Sequence, residues 1–270
     1  MTQVKGTGFP IYRMGDVPST NGITGKEQEL DNGFITNVTN PSLYIYPAKE
    51  PNGKAVIMCP GGGLTKVAMG HEGHDMAPWF NEQGITFAIL KYRMPNGNRK
   101  SLLEDIQQSI RVMRCLSGEY GFKELGVMGA SIGGYIAASA AVFQKADTRP
   151  DFQILFYPVI SMKQEYTHIP SRTQILGERP GYKEEDDFSL EFHVRDKVPR
   201  AFIVAASDDK AVSPINSTLY YDALSRHGVP ASLHIYPEGG HSFAFRDSFP
   251  YKNLLQEELK TWLNQPCLTV

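Results

Sequence analysis

The sequence predicts an α/β fold, with a mostly parallel central sheet and helices on both faces. Three observations predict it. Short β-rich apolar runs alternate with segments of helical periodicity, and that alternation makes crossover units on a parallel sheet. The stretch "VMGASIGGYIAASA", Val127 to Ala140, sets a serine among small residues at the joint between a strand-like and a helix-like run. The chain has 270 residues with 41% apolar and 21% charged side chains, an ordinary globular composition that can bury a sizeable core. One domain over 1–270 is expected.

Residues 1–30 are polar and glycine-rich and read as an extended arm. "FITNVTNPSLYIYPA", from Phe34, alternates in strand fashion around a proline and reads as two antiparallel strands. "KAVIMCP", Lys54 to Pro60, is a β-rich run that ends on Gly61, Gly62 and Gly63. His74 to Gln83 reads as a helix closed by Gly84, and Ile85 to Arg93 as a strand. From Ser101, Leu102, Ile106, Ile110 and Met113 recur at helical spacing. "LGVMGA" is a strand and "IGGYIAASAAVF" a helix; "FQILFYPVI" and "AFIVAAS" are strands. "SPINSTLYYDALSRHG" is a helix with a glycine stop, "ASLHIYP" a strand, and Leu254 to Leu263 a closing helix. Lys163 to Pro199 breaks the rhythm. It has no clear period and reads as an irregular, cap-like excursion over the site, because loops beyond about 12–15 residues are usually functional or disordered.

Charge and cysteine content narrow the function classes. Lys and Arg number 27 against 29 Asp and Glu, a net charge of −2, so the chain carries no electrostatic footprint for nucleic acid or an anionic membrane. Three distant cysteines, Cys59, Cys115 and Cys267, fit neither a disulfide framework nor a zinc knuckle and read as ordinary thiols. Met1 to Thr20 holds no apolar stretch of signal-peptide length, and no window approaches the roughly 18 apolar residues of a membrane span. The expectation is a cytoplasmic protein, with an exported form whose signal has been removed also open.

The serine stretch carries the chemistry. "GASIG", Gly129 to Gly133, fits G-x-S-x-G between strand and helix, the context in which a tight turn lifts a serine hydroxyl clear of the sheet. Such a turn strains the serine backbone and crowds its neighbours, so small side chains are required at Gly129, Ala130, Gly133, Gly134 and Ala137. The helix that follows aims its N-terminal dipole at the hydroxyl. A serine needs a base, and the base needs an orienting acid. In this arrangement the acid and the histidine follow in chain order, each past the end of a strand. "DDKAV" follows "AFIVAAS", and "EGGHSF" follows "ASLHIYP". The acid is therefore Asp208 or Asp209 and the base His241.

The other histidines compete poorly. His168 and His193 lie in the excursion, His227 near a helix end, and His234 inside a strand. His71 and His74, in "HEGH", stand three apart rather than the four of a zinc-binding H-E-x-x-H, so a helix N-terminus or substrate-rim role is expected. No metal and no cofactor is expected. Backbone donors must meet the negative oxygen of a tetrahedral intermediate. One is the amide after the nucleophile, Ile132, and the other is expected from "CPGGGL", Cys59 to Leu64, whose glycines let the backbone approach a carbonyl.

These residues resemble the α/β-hydrolase superfamily, and within it the acetyl-esterase and xylan-esterase-like branch of carbohydrate esterases. The matching pieces are "CPGGGL", "HEGHDMAPWFNEQGITFAILKYRMP", "MGASIGGYIAA", "YPVISM", "SRTQILGE", "AASDDKAVSPINSTLYYDAL" and "YPEGGHSFAF", spanning roughly Val56 to Phe245. The resemblance implies an α/β-hydrolase fold with nucleophile Ser131 and base His241. It assigns the acid to Asp209, which precedes Lys210, Ala211 and Val212, and leaves Asp208 as a capping partner. It places the oxyanion amides at Gly62 or Gly63, with Leu64 a further candidate, together with Ile132. Two positions depart from the branch: Leu64 stands where an aromatic is common and Ile132 where alanine is usual. Neither change removes a backbone N–H.

The implied activity is ester hydrolysis through an acyl-enzyme, with a small acyl group such as acetyl and a sugar as the alcohol. The partner is then a small-molecule or oligosaccharide ester, with no nucleic acid and no membrane. The excursion supports a polar substrate independently. Glu178, Arg179, Lys183, Glu184, Glu185, Asp186 and Asp187 make a rim unlike the amphipathic lid of a lipase. Trp79, Tyr157, Tyr166 and Tyr182 are candidates to stack on sugar rings. Two other readings stand beside this one: a peptidase of the prolyl-oligopeptidase type, and a non-catalytic binding protein on the same fold.

Overall fold

The computed structural model describes residues 8–13 and 16–265. In chain order the strands and helices are β1 (Gly8–Pro10), β2 (Gln28–Leu30), β3 (Phe34–Thr36), β4 (Ser42–Tyr46), β5 (Gly53–Cys59), β6 (Val67–Ala68), α1 (Ala77–Glu82), β7 (Thr86–Lys91), α2 (Lys100–Cys115), β8 (Phe122–Ala130) and α3 (Ile132–Val142). Then come β9 (Phe152–Phe156), α4 (Ile169–Leu176), α5 (Tyr182–Phe188), β10 (Ala201–Ala206), α6 (Ile215–Arg226), β11 (Ala231–Tyr236) and α7 (Lys252–Asn264).

Eight strands form the main sheet in the order β1-β4-β7-β5-β8-β9-β10-β11. Pairing is parallel from β7 through β11, and β4 runs antiparallel to both β7 and β1. This is the α/β-hydrolase fold expected from the sequence. Register explains where its chemistry collects. Cys59 sits opposite Gly129, Ala130 opposite Phe156, and Ala206 opposite Tyr236. The C-terminal ends of five neighbouring strands are thus nearly level, and the segments leaving them open onto one edge of the sheet.

Burial follows the expected helical spacing. In α2, Leu102, Ile106, Ile110 and Met113 are all buried against the sheet. The same face buries Asp105, whose carboxylate grips Arg93 through Nη2 at 2.6 Å and Nε at 2.9 Å and accepts the Arg93 backbone N–H at 2.9 Å. Removing one partner leaves a buried charge alone. Asp105→Ala is expected to lower stability by about 3–5 kcal/mol, read as a shifted denaturant midpoint.

Helix α3 is buried along almost its whole length, with glycines where it approaches the strands most closely. A Cβ on Gly129 would lie 2.1 Å from the Gly133 carbonyl oxygen, one on Gly133 2.0 Å from the Cys59 carbonyl oxygen, and one on Gly134 2.5 Å from Pro158 Cβ. The small residues around the serine are therefore a condition of bringing α3 down onto β5 and β8.

Two expectations are corrected. The strands from Phe34 do not pair with each other. β3 pairs with β2 and β6 in a separate three-stranded sheet, while β4 joins the main one. The linking residues do not reverse as a hairpin. Asn37 adopts φ 56°, Val38 is fully buried and accepts the Met94 N–H, and Pro41 accepts the Ile11 N–H. The extended arm is docked on the fold, since β1 adds an edge strand to β4 and Asn21 Nδ2 donates to the carbonyls of Val38 and Met94 at 2.9 Å each. The excursion is helical rather than irregular. It holds α4, α5 and a 3₁₀ turn at Leu190–His193. Its helices meet through a buried ion pair, Arg172 with Glu185, which leaves no apolar period in the sequence.

Among the described residues, no helix is long and apolar enough to cross a membrane. Cys59 is a buried free thiol and Cys115 an exposed one; Cys267 lies outside the described residues.

Candidate active site

Ser131 links β8 to α3 with φ 55° and ψ −124°, a conformation an L-residue holds only where its surroundings impose it. The surroundings are visible. Its N–H donates to the Phe156 carbonyl, and its own carbonyl accepts the N–H groups of Gly134 and Val159, each at 3.0 Å. The turn thus presents the hydroxyl at the level edge of the sheet.

Asp209 lies three residues past β10 and His241 five past β11. His241 Nε2 is 2.9 Å from Ser131 Oγ, and its Nδ1 is 2.7 Å from Asp209 Oδ2. An ionised carboxylate only accepts, so the shared proton belongs on Nδ1 and Nε2 offers its lone pair to the serine hydroxyl. The other oxygen of Asp209 accepts the N–H groups of Ala211 at 2.8 Å and Val212 at 2.9 Å, and its side chain is fully buried. Asp208 does something else. Its Oδ1 accepts the Gly240 N–H at 2.8 Å, which holds the carboxyl below the usual carboxylate range and ties the two loops together one residue before His241. The two adjacent aspartates, open alternatives by spacing alone, are separated by geometry.

The glycine-rich segment after β5 lies against this group. Gly62, Gly63 and Leu64 take φ values of 127°, 65° and 64° in succession. A Cβ on Gly61 would stand 3.0 Å from Ser131 Cβ, so loop and serine are in contact. Ile132 is the first residue of α3, where no preceding turn supplies an acceptor for its N–H.

Sequence reasoning missed Glu72. Its carboxylate is almost fully buried, with Oε2 accepting the Gly61 N–H at 2.8 Å and Oε1 accepting the Tyr157 hydroxyl at 3.0 Å. Tyr157, with φ 38° just past β9, stacks edge-on against His241 at 5.0 Å between ring centroids. Glu72 therefore braces the glycine loop and the ring that backs the histidine. The only sequence signal was an acidic residue inside "HEGH". The flanking histidines go separate ways. His74 Nδ1 pairs with the Tyr46 hydroxyl at 2.6 Å, whereas His71 packs against Phe34 and lies 3.7 Å from Glu72. Burial lowers the pKa of His71.

The four aromatic candidates divide. Tyr157 is buried, and Trp79 packs against Phe80 and Phe245, while Tyr166 is half-buried and Tyr182 is 86% exposed. His193, His227 and His234 bond to Asp187, Asp196 and Glu258, away from the serine. His168 does come to the site, beside Gly63.

A strained serine after a central strand, a histidine and a buried aspartate past later strands, and a level parallel sheet define an α/β-hydrolase. Residues 94–265 match the model of the prolyl oligopeptidase family, and the chain belongs to that family. It is 36% identical over 228 residues to an acetylxylan esterase of Xylanibacter ruminicola, covering 82% of this chain and 47% of that protein. It is 32% identical over 231 residues to endo-1,4-beta-xylanase B of Butyrivibrio fibrisolvens, covering 79% and 35%. The chain thus spans half or less of the length of these curated relatives. Among solved structures, an acetyl ester-xyloside bifunctional hydrolase from Caldicellulosiruptor lactoaceticus superposes with a TM-score of 0.82 at 30% identity, covering 96% of each chain. The resemblance to the acetyl-esterase and xylan-esterase-like branch is borne out.

Proposed function

We propose that this chain is a serine carboxylic-ester hydrolase that removes small acyl groups, acetyl foremost, from sugars derived from plant polysaccharides. The observation that carries the reading is the continuous hydrogen-bonded series from Ser131 through His241 to Asp209. His241 Nε2 takes the proton of Ser131 as Oγ attacks the acyl carbonyl. Asp209 holds the imidazole in the required tautomer and stabilises the imidazolium. The amide of Ile132 and one or more of Gly62, Gly63 and Leu64 receive the oxyanion. His241 then protonates the departing alcohol, and a water molecule repeats the sequence to free the acid. The names of the similar proteins, an acetylxylan esterase and an acetyl ester-xyloside hydrolase, support the choice of acyl group and alcohol.

The family match favours one second reading, a peptidase cleaving after proline. Acetylated xylo-oligosaccharides, feruloyl and longer-chain esters, and a prolyl amide, compared by kcat/KM, separate the two. The acetylated sugar is expected to lead, and preference for the prolyl amide would overturn the esterase reading.

Glu72 adds a prediction. Glu72→Ala leaves the Gly61 N–H and the Tyr157 hydroxyl without their buried acceptor. The glycine loop should loosen, and kcat is expected to fall by about 10²-fold, on the scale of one lost oxyanion donor, with KM little changed. Glu72→Gln keeps one acceptor oxygen and should recover part of the loss. An unchanged kcat for the alanine variant would remove Glu72 from the account.

A further inference from the structure

His168 caps the start of α4. Its Nδ1 lies 2.8 Å from Ser171 Oγ and accepts the Ser171 backbone N–H at 3.4 Å. An amide N–H can only donate, so Nδ1 is the lone-pair nitrogen and the neutral ring carries its proton on Nε2. Burial lowers the pKa of this imidazole, and the neighbouring His241 pushes the same way against Asp209, both favouring the neutral ring. The Nε2–H has no hydrogen-bond partner among the described residues. Unlike Nε2 of His71, it is not sealed from solvent. Cε1, the carbon between the two ring nitrogens, lies 3.8 Å from where a Cβ on Gly63 would stand, so the ring sits beside the glycine loop that touches Ser131.

We propose that His168 Nε2–H is a specificity-determining donor to the alcohol part of the substrate, selecting esters that carry a free hydroxyl or ether oxygen next to the acylated position. The inference rests on the small-acyl esterase reading above. An acetyl group offers one acceptor, its carbonyl oxygen, and the oxyanion amides take it. A further fixed donor at the loop is therefore left to the alcohol, and a sugar supplies acceptor oxygens on the carbons flanking the ester. A site that presents a donor discriminates against alcohols that cannot accept from it.

The test compares an acetylated xylo-oligosaccharide with 4-nitrophenyl acetate, which shares the acyl group and lacks the neighbouring oxygens. For His168→Phe, kcat/KM on the sugar ester is expected to fall by roughly tenfold, the scale of one lost neutral hydrogen bond, while 4-nitrophenyl acetate stays within about twofold. His168→Gln, whose amide both donates and accepts, should restore part of the sugar-ester rate. Equal losses on both substrates, or no loss on either, would overturn the proposal. If the wild type cleaves neither ester, it is the esterase reading that fails, so the two failures are distinct.

Discussion

Ser131→Ala is expected to lower kcat toward 4-nitrophenyl acetate by roughly 10⁶-fold while the protein stays folded and still binds substrate. The size follows from the division of labour. Without Oγ there is no acyl-enzyme, and His241 can only assist water from a position built for a serine oxygen. Residual catalysis would come from the oxyanion amides and binding alone, so adding a second substitution at His241 should cost little more. The fold should tolerate the change, since the strain at φ 55° is imposed by the bonds of Ser131 backbone atoms to Phe156, Gly134 and Val159, which alanine retains. A stability midpoint close to wild type, beside lost activity, is the expected pair of readings.

Asp209→Asn is expected to cost about 10⁴-fold in kcat, although the shape of the site hardly changes. Asp209 Oδ1 accepts two backbone N–H groups, so an asparagine will keep its oxygen there. Its amide nitrogen must then face His241 Nδ1 as a donor. The imidazole answers by moving its proton to Nε2, the atom 2.9 Å from Ser131 Oγ, and can no longer accept the serine proton. The loss should fall on kcat, with KM nearly unchanged. The neighbouring Asp208→Asn keeps an acceptor for the Gly240 N–H and should cost far less, which separates the two carboxylates in solution as their hydrogen bonds separate them in the structure.

Much of this was legible in the residues because the relevant signals are local. Every strand of the parallel part of the sheet is a short apolar run, and the serine turn announces itself by the small residues that its crowding requires. The positions of Ser131, His241 and the aspartate pair follow from one rule, that chemistry gathers where parallel strands end. What stayed hidden depends on long-range pairing. Nothing local distinguishes β3 and β4 as a hairpin from β3 and β4 in separate sheets; the buried path of Val38 decides it. Helices α4 and α5 escaped because their contact is Arg172 with Glu185, which reads as surface charge. Glu72 carries no signal of its own inside "HEGH" and His168 sits in a stretch without a period, and only the folded chain brings one under the glycine loop and the other beside it.

The most direct measurement of the central claim is peptide mass spectrometry on enzyme quenched during turnover of an acetyl ester. The account predicts one added acetyl group on the peptide containing Ser131, absent from Ser131→Ala. Steady hydrolysis with no acyl adduct on that peptide, or an adduct on another residue that survives in Ser131→Ala, would contradict it.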